Sequence, residues 1–277
     1  PKPSSAASDV YKRQDIVCTI NEANLTACFA HSFQSYPEHG MKAIMPFIKE
    51  AAEQCGSTLE NFGPFLFGHP FKIRNCMMEA HVKSVPIIKS ILKNNQPVGV
   101  TLSIMDYQAA EDGEEMRDKA YAESVDCCLD QIVNDDFVGV QMYTRHTYGP
   151  DGIVKPKADD PNMLVMGYEY YPESLENVVR YVSSKIKTPI MITENGIGTD
   201  DDNQRIEYLT TALQGLQNCL DDGIDVRGYF CWSLLDNFEW LFGYKPRFGL
   251  VEVNRETLDR TAKESFRFFK GVIDQST

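Results

Sequence analysis

The sequence predicts an α/β fold of the (β/α)8 TIM-barrel type, incomplete, with about strands 4 to 8 and their helices present. Three observations lead there. Short apolar, β-branched runs alternate with longer stretches of helical spacing, as parallel α/β architecture requires. The apolar runs are nearly continuous, the pattern of strands buried on both faces. Nearly every run ends in polar or aromatic residues, and a barrel gathers such strand ends at one face. An open doubly wound sheet would concentrate its polar groups at one switch point behind a glycine-rich loop, and no GxGxxG or Walker pattern follows any run here.

The expected strands are Ile16–Ile20, Val98–Met105, Phe137–Tyr143, Pro189–Glu194 and Val226–Trp232. Helical spacing fills Met41–Cys55, Phe71–Lys93, Glu114–Val133, Pro172–Ile186 and Asp202–Asp221, with a solvated loop and helix start over Glu111–Asp118. His81 falls on an apolar helical face and reads as a packed core histidine. Asp200–Asp202 lacks the spaced ligands and glycine of a calcium loop and suits the positive end of a helix dipole. Residues 1–14 are expected to be a tail, either non-native or a disordered native terminus, with structure starting near Asp15. Residues 15–277 then form one partial barrel domain.

Composition narrows the partners. The 277 residues carry 40 acidic and 27 basic side chains, a net charge of -13, and 43% hydrophobic residues, enough for a buried core. Phosphate backbones and anionic lipids need a basic face, so neither nucleic acid nor membrane is expected. The eight cysteines include the adjacent Cys127 and Cys128 and contain no CxxC pair; they read as reduced, mostly buried thiols of a cytoplasmic protein. The five histidines lack zinc-like spacing, so no metal and no cofactor are expected.

Glu22 and Glu194 each follow an apolar strand, stand beside an Asn and lie on a Thr-containing run. An isolated strand-end glutamate more often ends in a salt bridge or caps the next helix. Two of them in matching contexts favour paired carboxylates facing one cavity, the arrangement that glycosidic-bond cleavage needs. One must then be protonated and the other ionised.

Longer motifs give a family resemblance. Thr19-Ile-Asn-Glu22-Ala-Asn24 is similar to the TxNEPN acid/base segment of family 1 glycoside hydrolases, the β-glucosidase and β-galactosidase family. Ile192-Thr-Glu194-Asn-Gly196 matches its ITENG nucleophile segment. Asp136–Thr144 resembles DFxGxNYY, and Met166–Pro172 resembles MGWxxxP. Arg227-Gly-Tyr-Phe-Cys-Trp-Ser-Leu-Leu-Asp-Asn-Phe-Glu-Trp240, then Gly243-Tyr244 and Arg247-Phe-Gly-Leu250, complete the series in the family's order.

The resemblance implies a retaining β-glycosidase with a double-displacement mechanism, Glu194 as nucleophile and Glu22 as general acid, then base. The two carboxyl groups would lie about 5 to 5.5 Å apart. It further implies that Asn21 binds the sugar 2-hydroxyl, that Tyr143 contacts the nucleophile, and that Trp232 lies under the sugar ring. Glu239 and Trp240 would bind the outer hydroxyls. Phe248 stands where branches cleaving 6-phosphosugars carry a phosphate-binding tyrosine, and Glu239 would repel a phosphate. The implied substrates are therefore small β-glycosides or oligosaccharides ending in non-phosphorylated glucose, galactose or fucose.

Some positions depart from the family pattern. Ala23 replaces the usual Pro, which predicts a looser turn; Gln141 and Met142 replace Asn and an aromatic residue; Val17 and Tyr168 stand at usual Trp positions. The segment for three preceding strands has no counterpart, nor do its sugar-binding Gln and His or the arginine beside the nucleophile. A barrel short of three strands has open edges, so the chain is expected to be a C-terminal fragment, aggregation-prone and inactive alone. A sugar- or partner-binding pseudoenzyme of the same fold is the rival reading; relatives of that kind lose a catalytic glutamate, and both are present here.

Overall fold

A computed structural model describes residues 15–32, 38–63, 68–157, 160–240 and 242–276, with backbone alone at 32, 38–44 and 276. The expected 1–14 tail lies outside the described residues. The chain divides into two compact units, the first holding residues 1–103, 122–139 and 186–189, the second 104–121, 140–185 and 190–277.

In the first unit, β1 (Val17–Cys18) pairs in parallel with β2 (Val98–Ser103), and β2 is followed in the sheet by β4 (Phe137–Met142). Helices α1 (Leu25–Ser32), α2 (Glu38–Gln54) and α3 (Pro70–Ile91) fill the interval between β1 and β2. Every residue of β2 is buried, as its unbroken apolar run predicts. Gly99 has a packing reason: a Cβ there would come within 2.2 Å of the Phe137 carbonyl oxygen. On α3, Arg74, Met78 and His81 are buried, at helical spacing on one face.

β4 runs from the first unit into the second, where the order continues through β7 (Ile190–Asn195) to β8 (Val226–Cys231), paired in parallel. Helices α4 (Glu114–Tyr121), α5 (Ser174–Lys185), α6 (Asp202–Asp221) and α7 (Glu264–Ser276) belong to this unit. A π turn over Ala122–Asp126 and a last helical turn, Cys127–Leu129, continue α4. The acidic run before α6 serves its start: Asp201 caps the helix, its side chain accepting from the Asn203 and Gln204 N–H groups.

The structure corrects several expectations. β1 has two residues rather than five, although bonds to β2 run on beyond it, from the Thr19 N–H to the Gly99 carbonyl (2.9 Å) and from the Thr101 N–H to the Ile20 carbonyl (3.3 Å), before Glu22 turns into the left-handed region (φ 49). β8 is only partly buried, since among the described residues it has a sheet neighbour on one side alone. Excursions absent from the sequence reading add β3 (Asp106–Ala109), β5 (Arg145–Gly149) and β6 (Gly152–Ile153) as one small sheet, and β9 (Val251–Val253) with β10 (Arg260–Ala262) as a hairpin pair. Nor are the thiols mostly buried. Cys28, Cys128 and Cys219 are, but Cys18, Cys55 and Cys76 are exposed. Cys76 lies two residues before the inward Met78 and so falls on the opposite face of α3; Cys55 lies just beyond α2. Among the described residues no helix is long and apolar enough to cross a membrane, and no cluster of His, Cys, Asp or Glu could hold a metal ion.

Candidate active site

The first unit carries Asn21 and Glu22 on the turn after β1. For a residue with a Cβ, the left-handed conformation of Glu22 costs about 1 kcal/mol or more, so the surroundings must hold it. They do. The Glu22 N–H donates to Thr101 Oγ1 (3.0 Å), and the Thr101 hydroxyl donates to Asn21 Oδ1 (3.1 Å). Two residues on, the fully buried Asn24 donates from Nδ2 to the Ser103 and Ser124 carbonyls (2.7 and 2.9 Å) and accepts from the Ser103 N–H (2.8 Å). Ala23 does not loosen the turn as its sequence suggested. Its N–H donates to the Thr101 carbonyl at 3.2 Å, a bond proline could not make. His81 is a core histidine, wholly buried, with Nδ1 2.7 Å from Thr19 Oγ1 and Nε2 3.0 Å from Asp135 Oδ2.

In the second unit Glu194 sits near the end of β7, inside an irregularity between Ile192 and Asn195. There Phe230 alone, between Tyr229 and Cys231 of β8, stands opposite Thr193 and Glu194 of β7. Bulges of this kind re-aim side chains at sheet ends. The carboxylate accepts from the Tyr143 hydroxyl at 2.5 Å and from Gln141 Nε2 at 2.9 Å. Burial pushes the Glu194 carboxyl above its ordinary range; the Tyr143 bond opposes that, and the charge of Glu239 adds to it. Glu239 in turn accepts from the Trp232 indole N–H (3.2 Å). Phe248, only 2% exposed, presents an edge-to-face contact to Tyr143 with centroids 6.0 Å apart. The structure thus gathers Tyr143, Glu194, Trp232, Glu239 and Phe248 in one unit, with Asn21 and Glu22 in the other. Trp240, next in the chain to Glu239, is 86% exposed.

Three residues behind the cluster escaped the sequence reading. Asn195, fully buried, donates from Nδ2 to the Met142 carbonyl (2.8 Å) and the Tyr208 hydroxyl (3.0 Å), and its Oδ1 accepts from the Tyr229 hydroxyl (2.8 Å). Tyr208, on the buried face of α6, donates to the Tyr143 carbonyl (3.2 Å). Gln141 was visible only as a departure from a motif, with nothing to show that its amide would reach Glu194.

Comparison with known proteins gives a likeness in sequence and in fold. A sequence profile described as glycosyl hydrolase family 1 matches residues 146–277. A bifunctional β-D-glucosidase/β-D-fucosidase from Bifidobacterium breve is 42% identical over 122 residues, covering 39% of this chain and 26% of that protein. A 1,4-β-D-glucan glucohydrolase from Thermotoga neapolitana is 36% identical over 152 residues, covering 50% and 34%. The crystal structure of the β-glycosidase BGL167 superposes over 98% of this chain and 64% of its own, with TM-score 0.86 and 37% identity. Over its C-terminal part the chain resembles glycosyl hydrolase family 1. Its fold is an incomplete (β/α)8 barrel: nearly every residue finds a place in BGL167, of which about a third is left over. The aligned parts span between a quarter and about a third of those two curated relatives.

Proposed function

We propose that this chain carries the catalytic carboxylates of a retaining β-glycosidase that removes terminal, non-phosphorylated β-glucosyl, galactosyl or fucosyl residues. The observation that carries the reading is Glu194 itself, a part-buried carboxylate at the end of a parallel strand, fixed by one hydroxyl and one amide and beside an indole-bonded second acid. A nucleophile must be ionised, and burial works against that. Two hydrogen bonds to the charged form are what a buried carboxylate needs to stay so.

In the first step a Glu194 oxygen attacks the anomeric carbon while Glu22 donates its proton to the glycosidic oxygen, and the aglycone leaves. In the second, the Glu22 carboxylate takes a proton from water, that water attacks the anomeric carbon, and the ester bond breaks to return Glu194 as an anion. Trp232 offers an apolar face to the sugar, and Glu239 offers acceptors to its hydroxyls. A phosphate at the outer hydroxyl would meet the Glu239 charge and find a phenyl ring at Phe248. The glucosidase, fucosidase and glucohydrolase names of the Bifidobacterium and Thermotoga relatives support the glucoside and fucoside part of this reading. The coverage of BGL167 supports a longer parent enzyme that completes the barrel, and the free thiols fit a reducing, cytoplasmic setting.

The test is hydrolysis of a chromogenic aryl β-glucoside by the chain and by a version extended with the three preceding strand–helix units. Proton NMR follows the anomer released first. Initial release of the β-anomer, abolished by Glu194→Gln, is the expected result. Initial release of the α-anomer, or a rate unchanged by that substitution, overturns the assignment.

A further inference from the structure

The hydrogen bonds behind Glu194 close into a ring. Glu194 is covalently joined to Asn195; the Asn195 amide donates to the Tyr208 hydroxyl; that hydroxyl donates to the Tyr143 carbonyl; and the Tyr143 hydroxyl returns to Glu194. The amide has one orientation compatible with its neighbours, because the Met142 carbonyl can only accept and so must face Nδ2. The Met142 and Tyr143 carbonyls, which flank the Tyr143 backbone, are therefore both tied to the Asn195–Tyr208 pair. A phenol has a single proton, and here Tyr208 spends it on Tyr143 while accepting from Asn195, so the hydroxyl cannot be replaced by a donor or an acceptor alone.

We propose that Tyr208 is a positioning residue for the nucleophile: from the middle of the fold, with no contact to substrate, its hydroxyl sets where the Tyr143 side chain meets Glu194. The proposal rests on the reading of Glu194 as the attacking carboxylate and deepens it. Several observations favour position over mere packing. Tyr208 is wholly buried, and burial pushes the acidity of its hydroxyl far down, so the proton stays on the ring oxygen across the working pH range. Tyr229, which is half-buried, also donates its hydroxyl to Asn195, but to Oδ1 rather than through the Nδ2 that bonds Tyr208. The two phenols thus give one network with two arms, of which one reaches the Tyr143–Glu194 contact.

The experiment reads the titration of Glu194 in the full chain, by carbon-13 NMR of the side-chain carboxyl assigned with Glu194→Gln. Since the Tyr143 bond lowers the Glu194 midpoint, a displaced Tyr143 raises it. Tyr208→Phe is expected to raise the midpoint in the same direction as Tyr143→Phe, and the double variant to match Tyr143→Phe alone. Tyr229→Phe, the structural control, is expected to lower thermal stability while leaving the midpoint near that of the unaltered chain. A Tyr208→Phe protein that is folded and titrates like the unaltered chain overturns the proposal, as does an effect no larger than that of Tyr229→Phe. Should Tyr208→Phe not fold, the unaltered chain still decides: a Tyr208 hydroxyl proton slow to exchange and close to the Tyr143 backbone is expected, and one averaged with water refutes the ring. Because the readout is a titration, it separates from turnover: a chain that shifts as expected, with no glycoside hydrolysis even from the version extended by the three preceding strand–helix units, would sink the enzymatic reading and leave the link from Tyr208 to Glu194 standing.

Discussion

At the scale of single residues, the candidate nucleophile is a compromise between chemistry and folding. Burial raises the Glu194 pKa above its reference value of 4.5, partly offset by Tyr143. A carboxyl whose folded pKa is raised contributes its full stability below the unfolded pKa and loses it as pH rises through the folded one. At neutral pH the ionised Glu194 therefore weakens the fold. Glu194→Gln keeps both neighbours satisfied: the amide oxygen still accepts from Gln141, and its NH2 can donate to the Tyr143 oxygen. The variant is thus expected to have a higher urea midpoint than the parent at pH 7, with the difference fading below about pH 4. An equal or lower midpoint at pH 7 would show that Glu194 carries no such cost. Glu22 shows the same tension in its backbone, a left-handed glutamate held by Thr101 and by the anchored Asn24.

Among elements, the joints between helices and strands carry much of the second unit's rigidity. Asp202, at the start of α6, accepts from the Ser265 N–H (2.8 Å) and hydroxyl (2.7 Å) at the start of α7, and pairs at 2.5 Å with Arg205. Arg205 is 2% exposed and also ties the Thr199 and Arg247 carbonyls together, each at 2.6 Å. Asp202→Ala leaves a buried guanidinium without its carboxylate and uncaps α7, so it is expected to cost about 3 kcal/mol in urea unfolding; a loss below about 1 kcal/mol would mean that water replaces the carboxylate. This scale also shows what could be read in the sequence. α6 came out residue for residue, because its acidic cap, its apolar face and the following Gly223 all mark the same bounds. β2 and β4 came out to within two residues, since burial on both faces leaves an unbroken apolar run. β3, β5 and β6 did not: Arg145–Gly149 is polar enough to read as loop, and only pairing with Asp106–Ala109 makes it a strand. Glu194 was legible because it ends such a run. The Asn195–Tyr208–Tyr143 ring was not, because Tyr208 and Tyr143 lie 65 positions apart and nothing local marks a tyrosine whose hydroxyl will be buried.

For the whole molecule, two opposed surface properties decide behaviour in solution. In the second unit Phe230, Leu234, Phe238, Trp240 and Tyr244 are exposed, and in the first Phe47, Ile87 and Ile91 are. At about 25 cal/mol for each Å² removed from water, covering a few hundred Å² of such surface is worth several kcal/mol, comparable with a domain's net stability of about 5 to 15 kcal/mol. β8 adds backbone groups with no sheet neighbour on one side among the described residues, and open edges recruit strands. Against this stands the net charge of -13, which makes copies of the chain repel one another. Repulsion between exposed charges is screened within about 8 Å at physiological ionic strength and about 3 Å at 1 M, whereas apolar attraction is not screened. Self-association is therefore expected to rise with added salt. Sedimentation velocity should show mostly monomer in dilute buffer and larger species as sodium chloride approaches 1 M. The doubly substituted Phe230→Ser/Leu234→Ser chain should stay monomeric further along the same series. Association that falls with salt would mean that charge pairs rather than apolar faces bring the copies together, and a chain monomeric at every salt concentration would mean that the exposed aromatic residues are too dispersed to form a sticky face.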